Sequence, residues 1–196
     1  MEVAIVKYDA GNIYSVVNAM KRLGIEPILT DNPEKLAKAD KVLFPGQGQA
    51  KVAMQYLQAR GLDEVIRHLK QPVLGICVGQ QLLCKHSEEG NVDCLGVFNA
   101  NVLRFQPQRH EDKIPAMGWN KIYDLHTKLY EGLGAHPYTY FVHSYYVPIC
   151  EHTIATADYI IPYSASMRKD NFYACQFHPE KSGKVGEAIL KNFLEL

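Results

Sequence analysis

Along the first half of the chain, short unbroken apolar runs alternate with longer stretches whose apolar residues recur every three or four positions. Residues 3–8 make the first run and read as a buried strand. After the turn Asp9-Ala10-Gly11-Asn12, apolar residues at 13, 16, 17, 20 and 23 have helical spacing, and Gly24 closes that helix. Residues 26–30 read as a second strand. Asp31-Asn32-Pro33 opens a short helix that runs to residue 39. A third strand over 41–44 ends in Pro45-Gly46-Gln47-Gly48, and helical patterns follow over 50–58 and 62–69. The run after Pro72 is a fourth strand, which turns at once into the helix opening Gln80-Gln81-Leu82-Leu83.

Strand and helix alternating in this way predict an α/β fold with a mostly parallel, doubly wound sheet. The second half has a different texture. Residues 101–105, 120–123, 138–147, 153–157, 163–167 and 172–177 are β-rich, and most are separated by short turns. They are expected to add antiparallel strands to the same sheet, and residues 183–194 to close the chain as an amphipathic helix. With no linker, repeat or low-complexity tract, residues 1–196 are expected to form a single domain.

The formal net charge is zero, which argues against bulk electrostatic binding to nucleic acid or to an anionic membrane. The sequence opens on Met-Glu-Val-Ala-Ile-Val, so a charged leader with an apolar core is not expected, and no apolar run is long enough to span a bilayer. The five cysteines, at 77, 84, 94, 150 and 175, include no C-x-x-C pair. That pattern argues against disulfides and structural zinc, so no metal and no cofactor is expected, and a reducing cytoplasm fits best.

Ligands of doubly wound sheets sit at the carboxyl ends of the strands. Both Cys77 and the Pro45–Gly48 loop are expected there. Cys77 stands at the strand-to-helix junction, with Gly75 two residues before it and Gly79 two after. A sharp junction of this kind strains the backbone and thrusts the side chain outward, and small neighbours let the helix pass close to the strand. The helix N-terminus beneath the sulfur favours thiolate. A buried cysteine can equally be a small apolar filler. The close of the last strand weighs against that alternative. His178-Pro179-Glu180 places a carboxylate two residues after an imidazole, on the same face of an extended chain. Thiol, base and orienting acid make a nucleophilic triad. His-Pro-Glu is also compatible with a surface turn. A zinc deaminase would need P-C-x-x-C after its H-x-E, and that is absent. An α/β-hydrolase would place its acid before its histidine.

The elbow Gly75-Ile76-Cys77-Val78-Gly79-Gln80-Gln81, the His178-Pro179-Glu180 close and the Pro45-Gly46-Gln47-Gly48 loop resemble the triad-type, or class I, glutamine amidotransferases. The resemblance runs from Val3 to the last helix. Three further segments, Asp9-Ala10-Gly11-Asn12-Ile13, residues 115–120 (P-A-M-G-W-N) and residues 140–145 (Y-F-V-H-S-Y), resemble the glutaminase subunits of imidazole glycerol phosphate synthase. The resemblance implies a flavodoxin-like fold and L-glutamine as substrate. Cys77 would be the nucleophile, His178 the base and Glu180 its orienter. Val78 and the loop residues Gln47 and Gly48 would form the oxyanion hole. Gln81, Glu89, Ser144 and Tyr145 would hold glutamine; without the family, Glu89 reads as a solvated loop charge. The implied partner is a (β/α)8-barrel cyclase subunit, met by Asn12, Trp119, Tyr140 and Lys181 and forming a heterodimer. The glutaminase of another synthase, such as pyridoxal phosphate synthase, and a catalytically silent regulatory homologue are the rival readings. The chain departs from the family's pattern at Gln47, where valine is usual, and at Val78 and Gln80, where leucine and methionine are usual. Gln80 is expected to hydrogen-bond locally.

Overall fold

The computed structural model describes residues 1–8, 13–46 and 48–196. The expected turn over 9–12, with Asn12, and the loop residue Gln47 lie outside the described residues. The first half follows the expected alternation: β1 (Val3–Val6), α1 (Tyr14–Arg22), β2 (Ile28–Thr30), α2 (Pro33–Lys38), β3 (Lys41–Gly46), α3 (Ala50–Ala59), α4 (Leu62–Arg67), β4 (Val73–Cys77) and α5 (Val78–Leu83). Local chemistry explains several boundaries. Gly24 takes φ +79° just beyond α1, a conformation that costs glycine little. The Asn32 side chain accepts from the amides of Glu34 and Lys35 at 2.9 and 3.1 Å, and Pro33 occupies the first turn of α2.

The second half comprises β5 (His86–Ser87), β6 (Val92–Asp93), β7 (Asn101–Arg104), β8 (Ala116–Lys121), β9 (Tyr138–His143), β10 (Tyr145–Tyr146), β11 (Thr153–Tyr159), β12 (Ile161–Lys169), β13 (Phe172–Cys175) and α6 (Gly183–Leu194). A seven-stranded sheet runs β11-β12-β13-β4-β3-β1-β2. It is parallel from β13 to β2, and β12 and β11 extend it antiparallel. Residues of β1, β3 and β4 are buried throughout, which is why, apart from Lys41 at the start of β3, these strands are continuous apolar runs rather than alternating ones.

The expectation that the whole β-rich half joins this sheet is corrected in two places. Strands β10, β7, β5 and β6 form a separate four-stranded sheet, and β8 pairs with β9 as a separate antiparallel ribbon. The single strand expected over 138–147 breaks at Ser144. Up to His143 the chain pairs with β8, and from Tyr145 it pairs with β7. The Ser144 carbonyl accepts from the Phe105 amide at 3.1 Å, marking the change of partner. The strand expected over 120–123 instead spans Ala116–Lys121. Alternation along one strand carries no record of which strand will lie beside it.

Register brings the carboxyl ends together. Gly46 pairs with Cys77 across β3 and β4, and Cys175 pairs with Ile76 across β13 and β4. The loop after β3, the cysteine and the segment after β13 therefore share one edge of the sheet. No helix among the described residues is long and apolar enough to cross a membrane.

Candidate active site

Cys77 has φ 54° and ψ −110°, a region that side-chain-bearing residues rarely occupy. The flanking glycines explain how the chain tolerates this bend. A methyl group on Gly79 would sit 1.9 Å from the Phe44 carbonyl oxygen, because α5 passes directly against β3. One on Gly75 would meet the Leu83 side chain at 2.8 Å and the Gly79 carbonyl at 2.9 Å. A methyl group on Gly46 would be as crowded, lying 2.5–2.8 Å from the Tyr8 hydroxyl, the Gly79 nitrogen and Val78 Cβ. The elbow's small residues thus serve the contact with β3 as much as the contact with β4.

His178 Nδ1 lies 2.8 Å from Glu180 Oε1, and both side chains are 2% exposed. Nε2 is buried and makes no hydrogen bond of ordinary geometry among the described residues, leaving it as the ring nitrogen open to the Cys77 sulfur. Burial pulls the histidine's pKa down. Hydrogen bonding to Cys77 and Glu180, with their negative charge, outweighs burial and raises the pKa to about 10. The backbone of His178 is fixed from two directions. Its amide donates to the Tyr140 carbonyl at 2.8 Å, and its carbonyl accepts from the Ser182 hydroxyl at 2.6 Å. The same hydroxyl accepts from the Tyr140 amide at 3.0 Å, which ties β9 to the histidine.

A cavity of about 450 Å³ has Cys77 and His178 in its wall. Gly48, Val78, Gln81, Glu89, Ser144, Tyr145 and Lys181 line the same cavity, so the expected catalytic, oxyanion and glutamine-binding residues converge there apart from Glu180 and from Gln47, which lies outside the described residues. Glu180 stands behind His178 rather than in the wall. Gly48 takes φ +100°, and Val78 is the first residue of α5. Glu89 is not a solvated loop charge. It is half-buried, burial raises its pKa, and one oxygen accepts from the Ala50 amide at the start of α3 at 3.0 Å, which partly offsets the rise.

Gln80 does not bond locally: its Nε2 donates to the Ser164 carbonyl in β12 at 3.2 Å. Gln81 Nε2 donates to the Tyr145 carbonyl at 3.2 Å and to Gln176 Oε1 at 3.0 Å. Three wall residues, Pro115, Val142 and His143, had no role in the sequence reading. His143 is buried, with Nδ1 donating to the Tyr145 carbonyl at 2.7 Å and Nε2 3.3 Å from the Tyr163 hydroxyl. Gln176, fully buried beside the sulfur, also went unassigned. The i, i+2 spacing that links His178 to Glu180 equally links Gln176 to His178, and it was the available signal.

Trp119 is 57% exposed, so it is not a core residue. It pairs with Tyr140 across the β8–β9 ribbon, and their rings meet edge to face with centroids 6.0 Å apart. Through Tyr140 the ribbon is one hydrogen bond from His178. Tyr140 and Lys181 are half-buried.

A cysteine on a strained elbow, backed by a histidine–glutamate pair at the carboxyl edge of a doubly wound sheet, defines a class of thiol-dependent amidotransferases. The match to one family is direct. The chain belongs to the class-I glutamine amidotransferase family, whose model matches residues 5–196. It is 60% identical to the imidazole glycerol phosphate synthase subunit HisH of Bacteroides thetaiotaomicron over 196 residues, with both chains covered completely. The HisH of Escherichia coli is 43% identical, again over the full length of both chains. A crystal structure of a glutamine amidotransferase has a TM-score of 0.74 at 22% identity, covering 98% of this chain and 97% of the other. The structure of PurLQS from Thermotoga maritima has a TM-score of 0.71 at 16% identity, covering 99% and 97%. These two structures share the fold.

Proposed function

We propose that this chain is the glutaminase subunit of imidazole glycerol phosphate synthase. It hydrolyses L-glutamine to L-glutamate and ammonia and passes the ammonia to the cyclase subunit HisF, a (β/α)8 barrel, for histidine biosynthesis in the cytoplasm. The observation that carries this reading is the triad: Cys77 on its elbow, His178 beside it, and Glu180 2.8 Å behind the imidazole. Full-length identity to proteins named HisH selects the pathway from among the family's many syntheses.

In this mechanism Cys77 Sγ attacks the carboxamide carbon of glutamine, and the carbonyl oxygen takes up the negative charge. The Val78 amide and the loop at Gln47 and Gly48 stabilise that oxyanion; one such donor is typically worth ~3–4 kcal/mol. His178 gives its proton to the departing amine, so that ammonia leaves and a thioester remains. Water then attacks the thioester, His178 takes the water's proton, and the sulfur departs as glutamate is released. Gln81, Glu89, Ser144 and Tyr145 hold the amino-acid end of the substrate. Ammonia released to bulk water is protonated and no longer a nucleophile, so the receiving subunit docks at the same edge, on the face carrying Trp119, Tyr140 and Lys181, with Asn12 assigned to that interface by the family resemblance alone.

The test is glutamate release by the purified chain mixed with a cyclase subunit. Cys77→Ala is expected to abolish it while leaving ammonium-dependent synthesis by the complex intact. Glu180→Gln is expected to cost less than loss of the sulfur, within the ~10²–10⁴-fold range of acid–base terms. Glutamine-dependent turnover by Cys77→Ala at the normal rate would sink the reading.

A further inference from the structure

The two glutamines beside the elbow form an ordered chain that ends on the reacting sulfur. The orientation of its amides follows from one backbone group. The Tyr145 carbonyl can only accept, so the atom of Gln81 that faces it at 3.2 Å is the donor Nε2. The same Nε2 faces Gln176 at 3.0 Å, so the Gln176 atom there is the acceptor Oε1. That leaves the Gln176 NH2 group turned toward Cys77, with Nε2 3.7 Å from Sγ. Gln176 is fully buried and Gln81 is 2% exposed, so neither amide lies open on the protein surface. An amide NH2 held in a buried site beside a sulfur favours the charged thiolate over the thiol, since only the thiolate is a strong acceptor.

We infer that Gln176 is a further catalytic residue: it donates to Cys77 Sγ and holds the thiolate ready for attack, while Gln81 and the Tyr145 carbonyl act as positioning groups that keep its amide the right way round. His178 faces the sulfur as a proton carrier, whereas the amide of Gln176 does not exchange its proton during turnover. It stabilises the anion at the start of the reaction and again when the thioester breaks. This places Gln81 in two roles, one toward substrate and one toward the nucleophile. Both of its amide hydrogens are engaged within the protein, so a ligand meets Gln81 through Oε1, as an acceptor.

The inference rests on Cys77 being the nucleophile, and its test is independent of glutamine and of any partner. Alkylation of Cys77 by iodoacetamide is followed against pH, with the Cys77 peptide quantified by mass spectrometry. The other buried thiols are set apart because burial pushes Cys84, Cys94 and Cys175 up, Cys94 to about 12. Gln176→Met keeps the length of the side chain and removes the donor. Its alkylation profile is expected to move to higher pH by about one unit, as expected for loss of a hydrogen bond to a charged group. Gln81→Leu leaves the sulfur's own contact in place but releases the Gln176 amide, and is expected to move the profile in the same direction. Gln176→Glu puts an acceptor against the sulfur and is expected to move it further. A merely structural role would lower the unfolding midpoint without moving the profile. An unchanged profile in folded Gln176→Met, or in Gln81→Leu if the former does not fold, overturns the inference. Glutamate release by the unaltered chain with its cyclase reports separately on the function it rests on.

Discussion

His143 is held neutral by its surroundings. Burial lowers its pKa to about 4; the Tyr145 carbonyl opposes that shift, and the neighbouring His178 adds to it. Phe105, Phe141 and Tyr163 enclose the ring. The sign of the linkage follows. In the unfolded chain the residue titrates near its ordinary 6.5, so below that pH the unfolded state binds a proton that the native state refuses. Stability present above pH 6.5 is lost as pH falls toward 4, with about 2 kcal/mol gone by pH 5. Urea unfolding at pH 7 and pH 5 should show this loss, and His143→Gln should shrink the difference between the two; an undiminished difference would assign the acid sensitivity to other groups. His143 immediately precedes Ser144 and Tyr145 in the chain. Its own role was not legible, because a histidine in a strand looks the same whether its partners are water or a buried carbonyl.

The elbow depends on one close approach between α5 and β3. Gly79→Ala drives a methyl group to within 1.9 Å of a backbone oxygen that belongs to a central strand and cannot rotate away. The expected cost is about 3 kcal/mol or more, with Cys77 displaced as well. Gly24→Ala is a useful contrast. Its φ of +79° is strained for alanine, but nothing lies within 4 Å of the added methyl group, so the expected cost is about 1 kcal/mol. Thermal or urea denaturation of both variants checks the ranking, and equal losses would mean that α5 shifts to make room for the methyl group, so that contact with β3 does not govern position 79. The sequence announced that small residues were needed here. It did not say that the neighbour making the demand was β3, some thirty residues earlier in the chain.

One face of the β8–β9 ribbon leaves Met117, Trp119 and Tyr138 exposed, at 67%, 57% and 57%. Exposed aromatic and methionine side chains grouped in this way suit a partner surface. Trp119 is the chain's only tryptophan. With a tryptophan-free cyclase, its emission should shift when the complex forms. Trp119→Ala should weaken the complex by about 2 kcal/mol or more while leaving the unfolding midpoint of the isolated chain nearly unchanged. An unchanged spectrum and an undisturbed complex would move the docking face elsewhere. The order of strands and helices in the first half, the elbow at Cys77 and the His178–Glu180 pair were all legible in the amino-acid sequence. Apolar runs, glycine spacing and i, i+2 geometry act over a few residues, and a few residues are enough to express them. Folding in three dimensions decided the rest. It divided the β-rich half among three sheets, turned Gln80 toward Ser164, 84 residues away, and joined Gln81 to Gln176 across 95 residues. Such contacts depend on which buried surfaces meet once the sheet is assembled, and a strand's own alternation does not encode its neighbour.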